Sequence, residues 1–251
     1  MQPRLILILT ALALPLSAQA GEVRVAVASN FSATIHALKP DFEAATGHRM
    51  RISTGSTGKL YAQIRNGAPF HVFLAADVRR PRKLDEAGLV AEGGRFTYAR
   101  GRIALWSRDP ERVKGPNTLA GGDFRHLAIA NPRTAPYGLA AKQTLQALGR
   151  WQTLKDRLVR GENIGQTHQF VASGNAELGF VALSQITGPN KPKAGSRWLV
   201  PQDRHEPIRQ QAALLADAAE HPPALAFVRF LKGTQATAVI RGFGYTIPGE
   251  E

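Results

Sequence analysis

The stretch "TGSTGKLYAQI", Thr54 to Ile64, is rich in Gly and hydroxyl residues and runs into an amphipathic helix, a setting in which a backbone turn can hold an anion. A phosphate loop of the Gly-x-x-x-x-Gly-Lys-Ser/Thr kind is excluded. Ser53 stands where the first Gly must be, and Leu60 follows Lys59 in place of the magnesium-holding hydroxyl. What remains is a helix start whose unpaired N–H groups face outward, with the Ser56 and Thr57 hydroxyls beside them. Such a start is either an ordinary cap or a seat for something small and negative. Two more starts have the same character, at Ser29-Asn30 and at Pro136-Tyr137-Gly138. Ser29, Asn30, Ser56, Thr57 and Tyr137 thus offer neutral donors with no obligatory Lys or Arg. A fully ionised tetrahedral oxyanion accepts hydrogen bonds at every oxygen and suits such a pocket, whereas hydrogen phosphate carries a proton that requires an acceptor carboxylate. Helix dipoles aimed at one point supply the positive potential.

Other chemistries find little support. The seven His residues are scattered singly, with no helical pair and no H-E-x-x-H, so no metal centre is indicated. No G-x-S-x-G elbow marks a serine hydrolase. No carboxylates stand as an acid–base pair, although an exported phosphotransferase or hydrolase built on the same anion turns stays open as an alternative. The formal charge of +13 permits nucleic-acid, anionic-lipid or cell-surface partners. The basic residues are dispersed, however: Arg79-Arg80-Pro81-Arg82-Lys83 is the one run, and no DNA-reading helix or RNA-type aromatic motif accompanies it, so no nucleic acid is expected.

The compartment is read from the first twenty residues. Arg4 precedes the apolar run Leu5 to Leu16, and Ser17-Ala18-Gln19-Ala20 ends in a small-x-small pattern, so residues 1–20 are expected to be a cleaved signal peptide and the mature chain a periplasmic protein. The run is short for a transmembrane anchor. Removing it leaves 231 of the 251 residues and lowers the formal charge to +12, with 31 Lys and Arg against 19 Asp and Glu. With no Cys there is no disulfide framework, thiolate site or lipoprotein attachment point, and the fold must rest on its core.

The elements that position these turns follow from hydrophobic periodicity. Val23, Val25 and Val27 alternate as a strand, then Ile35, Leu38, Phe42 and Ala45 keep helical spacing as far as Gly47, with Pro40 expected to kink the helix. Met50–Ser53 and Val72–Ala75 are further strands, followed by helices from the quoted turn and over Arg79–Ala87. This β-α repeat predicts a parallel sheet with ligands beyond the carboxyl ends of the strands. A second unit starts near Arg102, with strands at Ile103–Trp106, Leu127–Ala130, Leu158-Val159 and Leu178–Ala182. Its helices open at Pro136, at Trp151 and at Asn163-Ile164, and Pro189–Arg197 reads as a basic loop. From Ile208 a strand through Leu214-Leu215 and two helices end the chain. The expected fold class is α/β: two doubly wound lobes, 21–98 plus 208–251 and 99–207, joined by two crossing strands with a central cleft. Hinges are expected near Phe96–Arg100 and residues 206–211.

Five blocks in order, "VAVASNFSATI", "TGSTGKLYAQIRNGAPFHVFLAADVRRPRKLDEAGLV", "ANPRTAPYGLAAKQTLQALG", "ENIGQTHQFVASGNAELGFVALSQI" and "FLKGTQATAVIRGFGYTIP", resemble the periplasmic molybdate-binding protein family, the capture subunits of the molybdate ATP-binding-cassette importer. The resemblance spans essentially the whole mature chain. It implies a type II periplasmic-binding fold, no enzymatic activity, no cofactor, molybdate or tungstate as ligand, and docking on a membrane permease that works with an ATPase subunit. A monomer is expected. Carried over, it places the anion against Ser29 with the Asn30 backbone N–H and amide beside it, against Thr57 with Ser56 adjacent, and against the backbone of Tyr137 and of Ile164. Some members supply a Tyr hydroxyl from the strand after L-G-x-V. This chain has Ala182 there, and the Tyr137 hydroxyl is the expected replacement. A receptor for sulfate or another tetrahedral oxyanion is the alternative within the binding class, since residue types do not report pocket size.

Overall fold

In the computed structural model, residues 20–189 and 195–249 are described. The expected leader therefore lies, apart from Ala20, outside the described residues, as does the middle of the basic stretch after Pro189.

Alternation and capping build a first unit of β1 (Glu22–Ala28), a single 3-10 turn (Ser29–Phe31), α1 (Ser32–Thr46), β2 (Arg49–Gly55), α2 (Thr57–Arg65), β3 (Val72–Ala75), α3 (Arg79–Asp85) and the long β4 (Val90–Gly101). Helix α1 runs unbroken through Pro40 and stops at Gly47, whose left-handed φ of 69° no β-carbon-bearing residue adopts readily. The second unit comprises β5 (Ile103–Ser107), β6 (Leu127–Ala130), α4 (Pro136–Ala147), α5 (Trp151–Leu154), β7 (Leu158–Gly161), α6 (Ile164–Ala172), β8 (Leu178–Ala182), α7 (Leu183–Ile186) and β9 (Ser196–Leu199). The chain then returns through β10 (Ile208–Leu215) to the first unit and ends with α8 (Pro222–Lys232) and α9 (Thr234–Gly242).

Two five-stranded sheets result, ordered β2-β1-β3-β10-β4 and β7-β6-β8-β5-β9. Pairing among β1, β2 and β3, and among β6, β7 and β8, is parallel, as the β-α repeat predicts. Both sheets are nevertheless mixed. β10 enters from the other unit and so runs antiparallel to β3 and β4, and β5 runs antiparallel to β8 and β9. Two elements differ from the sequence reading. Ser196 and Arg197, expected in a basic loop, belong to edge strand β9, held by pairing of Trp198 and Leu199 with β5. β4 is a twelve-residue strand, where a crossing strand was expected without bounds and with a hinge near Phe96–Arg100.

The core of the first unit joins Val23, Val25 and Val27 of β1 to Ile35, Leu38 and Phe42 of α1 and to Phe227, Leu231 and Ile240 of the C-terminal helices, all at most 1% exposed. Burying each such side chain contributes about 1.5–3 kcal/mol, so α8 and α9 are tied to the first sheet although over a hundred residues intervene. Ile103, Leu105, Leu127, Ile129, Leu145 and Phe180 form the corresponding core of the second unit. The chain passes between the sheets at Arg102 and through residues 200–207, and Thr246 bridges to Arg100. Among the described residues no helix is long and apolar enough to cross a membrane.

At the end of the first sheet remote from the strands' carboxyl ends, the His71 ring lies against that of His221, tilted by 45° with centroids 4.0 Å apart, and receives the Arg24 amide N–H on Nδ1 at 3.2 Å. Burial, then the His221 and Arg24 charges, lower its pKa from 6.5 to about 4. Unfolded His71 therefore binds a proton at a pH where the folded form does not. Its contribution to stability is full above the unfolded value and is lost as pH falls through about 4. Replacing His71 by Gln should flatten the acid side of a plot of denaturation midpoint against pH, and an unchanged slope would reject this assignment.

Candidate functional site

Three helix starts and the 3-10 turn after β1 meet between the two sheets. Ser56 caps α2, its Oγ accepting from the Lys59 N–H at 3.3 Å, and Asn163 caps α6, its Oδ1 accepting from the Gln166 N–H at 3.0 Å. Helix α4 opens on Pro136, whose missing N–H costs nothing in a first turn. Thr57, Tyr137 and Ile164 each follow directly at these starts, where the backbone N–H has no acceptor within its own helix.

Ser29, Asn30, Ser56, Thr57, Tyr137 and Ile164 all line one small pocket, together with Ala28, Gly55, Ala76, Ala135 and Pro136. The pocket is narrow and closely lined, too small as it stands for a sugar or a peptide. Five of the six are at most 3% exposed, and Ser29 is half-buried.

The hydroxyls are oriented by what they accept. Ser29 Oγ receives the Gly165 N–H at 3.3 Å, across the cleft from α6, and Thr57 Oγ1 receives the Ala76 N–H at 3.3 Å. With an acceptor lone pair occupied on each oxygen, each hydroxyl keeps its proton to donate.

The Asn30 side chain is committed elsewhere than the resemblance implied. Its amide donates to Gln210 Oε1 at 2.9 Å and to the Tyr245 hydroxyl at 3.1 Å. The Tyr137 hydroxyl likewise receives Gln210 Nε2 at 3.1 Å, beside Gly101, rather than standing in at Ala182. At Ala182 a different residue closes the gap. The Ala182 N–H donates to Gln185 Oε1, and Gln185 Nε2 donates to the Ile164 carbonyl, both at 2.9 Å, so the Ile164 turn is held by an amide. Sequence reasoning passed over Gln185, Gly165 and Gln210. The one signal for Gln210 was a run of polar residues, Arg209 to Gln211, directly before the apolar "AALL" of one strand.

The pocket carries no charged side chain. Tyr137 is its sole titratable group, and burial holds the phenol well above its usual pKa, so it stays neutral. Asp77 and Arg80 pair with each other in the adjoining groove. With no carboxylate or His in the lining, the acid–base chemistry of a phosphotransferase or hydrolase has no agent here. Among the described residues no cluster of three or more His, Asp or Glu is arranged to hold a metal ion. The cleft is bridged at its mouth by the Gly58 N–H donating to the Thr134 carbonyl at 2.9 Å, by Arg80 Nη2 donating to the Arg133 carbonyl at 3.0 Å, and by the Lys59–Glu162 ion pair.

The family profile described as bacterial extracellular solute-binding protein matches residues 23–246. The chain is 51% identical to the molybdate-binding protein ModA of Azotobacter vinelandii over 243 residues, covering 96% of each. It is 46% identical to ModA of Rhodobacter capsulatus, over 92% of this chain and 91% of that one. The solved structure of the Azotobacter vinelandii periplasmic molybdate-binding protein superposes with a TM-score of 0.87 at 45% identity, covering 90% of this chain and 99% of that one.

Proposed function

This chain belongs to the bacterial extracellular solute-binding protein family, and from that premise we propose that it captures molybdate between its two lobes as the binding subunit of an ATP-binding-cassette transporter. It performs no bond-making chemistry. The observation that carries the reading is the convergence of six neutral donor residues on one pocket without a charged side chain, in a chain about half identical to molybdate-binding proteins. Molybdate is fully ionised at neutral pH and offers only acceptors, which the Ser29 and Thr57 hydroxyls and the amides of Asn30, Thr57, Tyr137 and Ile164 satisfy, with Ser56 holding the α2 start in place. The dipoles of α2, α4 and α6 add positive potential in a site shielded from salt.

The finer reading is that tungstate binds as well, that the mature protein is a periplasmic monomer after removal of residues 1–20, and that it delivers the anion to a permease energised by an ATPase subunit. We take the lobes as 21–98 with 208–251, and 99–207, closing about the two crossings.

Isothermal titration with molybdate, tungstate, sulfate and phosphate tests this. Molybdate and tungstate should bind and phosphate should not, because the lining offers its proton no carboxylate. Molybdate affinity should stay flat from about pH 6 to about pH 9, since the one titratable group in the lining is held neutral by burial. Tighter binding of sulfate than of molybdate would overturn the assignment in favour of a sulfate receptor.

A further inference from the structure

Gln210 lies in β10, at 0% exposure, where a β-bulge between Gln210 and Gln211 shifts the register against β4. It does not line the anion pocket. Its amide nevertheless joins three elements that do or that adjoin it. Oε1 accepts from Asn30 Nδ2 at 2.9 Å and from the Tyr98 hydroxyl at 3.0 Å, while Nε2 donates to the Tyr137 hydroxyl at 3.1 Å. Asn30 belongs to the first lobe's anion-facing turn and Tyr137 to the second lobe's. Gln210 sits on a strand that joins the lobes.

The room for this arrangement is made by the other crossing strand. At Gly101, the last residue of β4, a Cβ would stand 2.0 Å from Tyr137 Oη and 2.6 Å from Gln210 Nε2. The phenol tip is thus seated in a slot between β4 and β10. The Asn30 turn is fixed from behind as well: its carbonyl accepts from Ser184 Oγ at 2.8 Å and from the Tyr245 hydroxyl at 2.9 Å. Through these bonds the backbone N–H groups of Asn30 and Tyr137 are referred to one side chain.

We propose that Gln210 is a positioning residue for oxyanion capture, which sets the relative placement of the two lobes' anion-facing turns by accepting from the Asn30 amide while donating to the Tyr137 hydroxyl. It acts without touching the anion. The polarity of its amide matters as much as its size, because Oε1 accepts twice while Nε2 donates to a phenol that would otherwise have to turn its own O–H inward. A protonated carboxyl preserves that polarity, its carbonyl accepting and its O–H donating to Tyr137 Oη. An ionised carboxylate can only accept, and it also places a negative charge behind an anion site. A buried Glu has its pKa raised, which brings the change of form within an accessible range.

The proposal rests on the oxyanion reading of the pocket, and its test separates the two. Molybdate is titrated into wild-type protein, Gln210→Glu and Gln210→Met from about pH 8.5 to about pH 5.5, with thermal melts of each ligand-free protein alongside. Gln210→Glu should bind weakly at the alkaline end and regain nearly wild-type affinity at the acid end, while the wild type stays flat. Gln210→Met, of similar size but with nothing to donate or accept, should bind roughly tenfold or more weakly at every pH, the scale set by stranding buried polar partners. Tyr137→Phe, which keeps the backbone N–H and the ring, should also weaken binding, and combining it with Gln210→Met should add little further loss. Wild-type-like binding by Gln210→Met, a pH-independent Gln210→Glu, or additive losses in the double variant would overturn the role of Gln210. Absence of molybdate binding by the wild type would overturn the pocket reading itself.

Discussion

Alanine at both Ser29 and Thr57 is expected to lower molybdate affinity by about 3–6 kcal/mol, from about 1.5–3 kcal/mol for each hydrogen bond lost to a buried charged group. That corresponds to roughly a hundredfold to ten-thousandfold in dissociation constant. The size follows from two losses at each position. The anion loses a donor, and a backbone N–H loses its acceptor, Gly165 N–H in one case and Ala76 N–H in the other. The first of these bonds crosses the cleft, so Ser29→Ala also removes a contact that favours closure. Ser29→Thr and Thr57→Ser retain an oxygen that can accept and donate, and should lose far less. Calorimetric titration of the four variants reads the effect directly. Affinity in the double alanine variant within threefold of wild type would mean that the hydroxyls do not face the anion.

How much of this was legible beforehand depended on whether the signal was local. Val23, Val25 and Val27, then Ile35, Leu38 and Phe42, mark a strand and a helix because burial on a repeating structure leaves its period in the sequence. Ser29, Thr57 and Tyr137 stood out since each follows a strand and opens a helix, a place set within a few residues. The extent of β4 was not legible. Its sequence "VAEGGRFTYARG" has no alternation, and its half-exposed middle is held by pairing with β10, more than a hundred residues away. The commitments of Asn30 and Tyr137 were hidden for the same reason: both depend on Gln210, 180 and 73 residues distant. Residue type said that an amide and a phenol were available, and only the crossing strand decided that both bond to Gln210.

Gly138→Ala should abolish tight molybdate binding and lower stability by about 1–3 kcal/mol through overpacking. Gly138 follows Tyr137 in the first turn of α4, where the helix presses on the end of β6. A Cβ there would lie 2.2 Å from the Ala130 carbonyl oxygen, 2.7 Å from its carbon and 2.9 Å from the Asn131 carbonyl carbon, where ordinary contacts begin near 3.4 Å. All three are backbone atoms, so no side chain can rotate aside. The α4 start must lift by on the order of an ångström, enough to carry the neighbouring Tyr137 N–H out of the 2.7–3.2 Å range of a good hydrogen bond. Helix propensity acts the other way, favouring Ala over Gly by about 1 kcal/mol in a helix interior. Steric displacement outweighs it here because relief requires moving a whole element. Gly242, at the end of α9, has nothing within 4 Å of the same added atom, so Gly242→Ala isolates the propensity effect and should leave binding unchanged and the melting temperature equal or higher. Titration and thermal melting of the two variants side by side decide the matter: if Gly138→Ala binds molybdate as Gly242→Ala does, the α4 start does not need to sit where β6 holds it, and the Tyr137 amide is not a ligand.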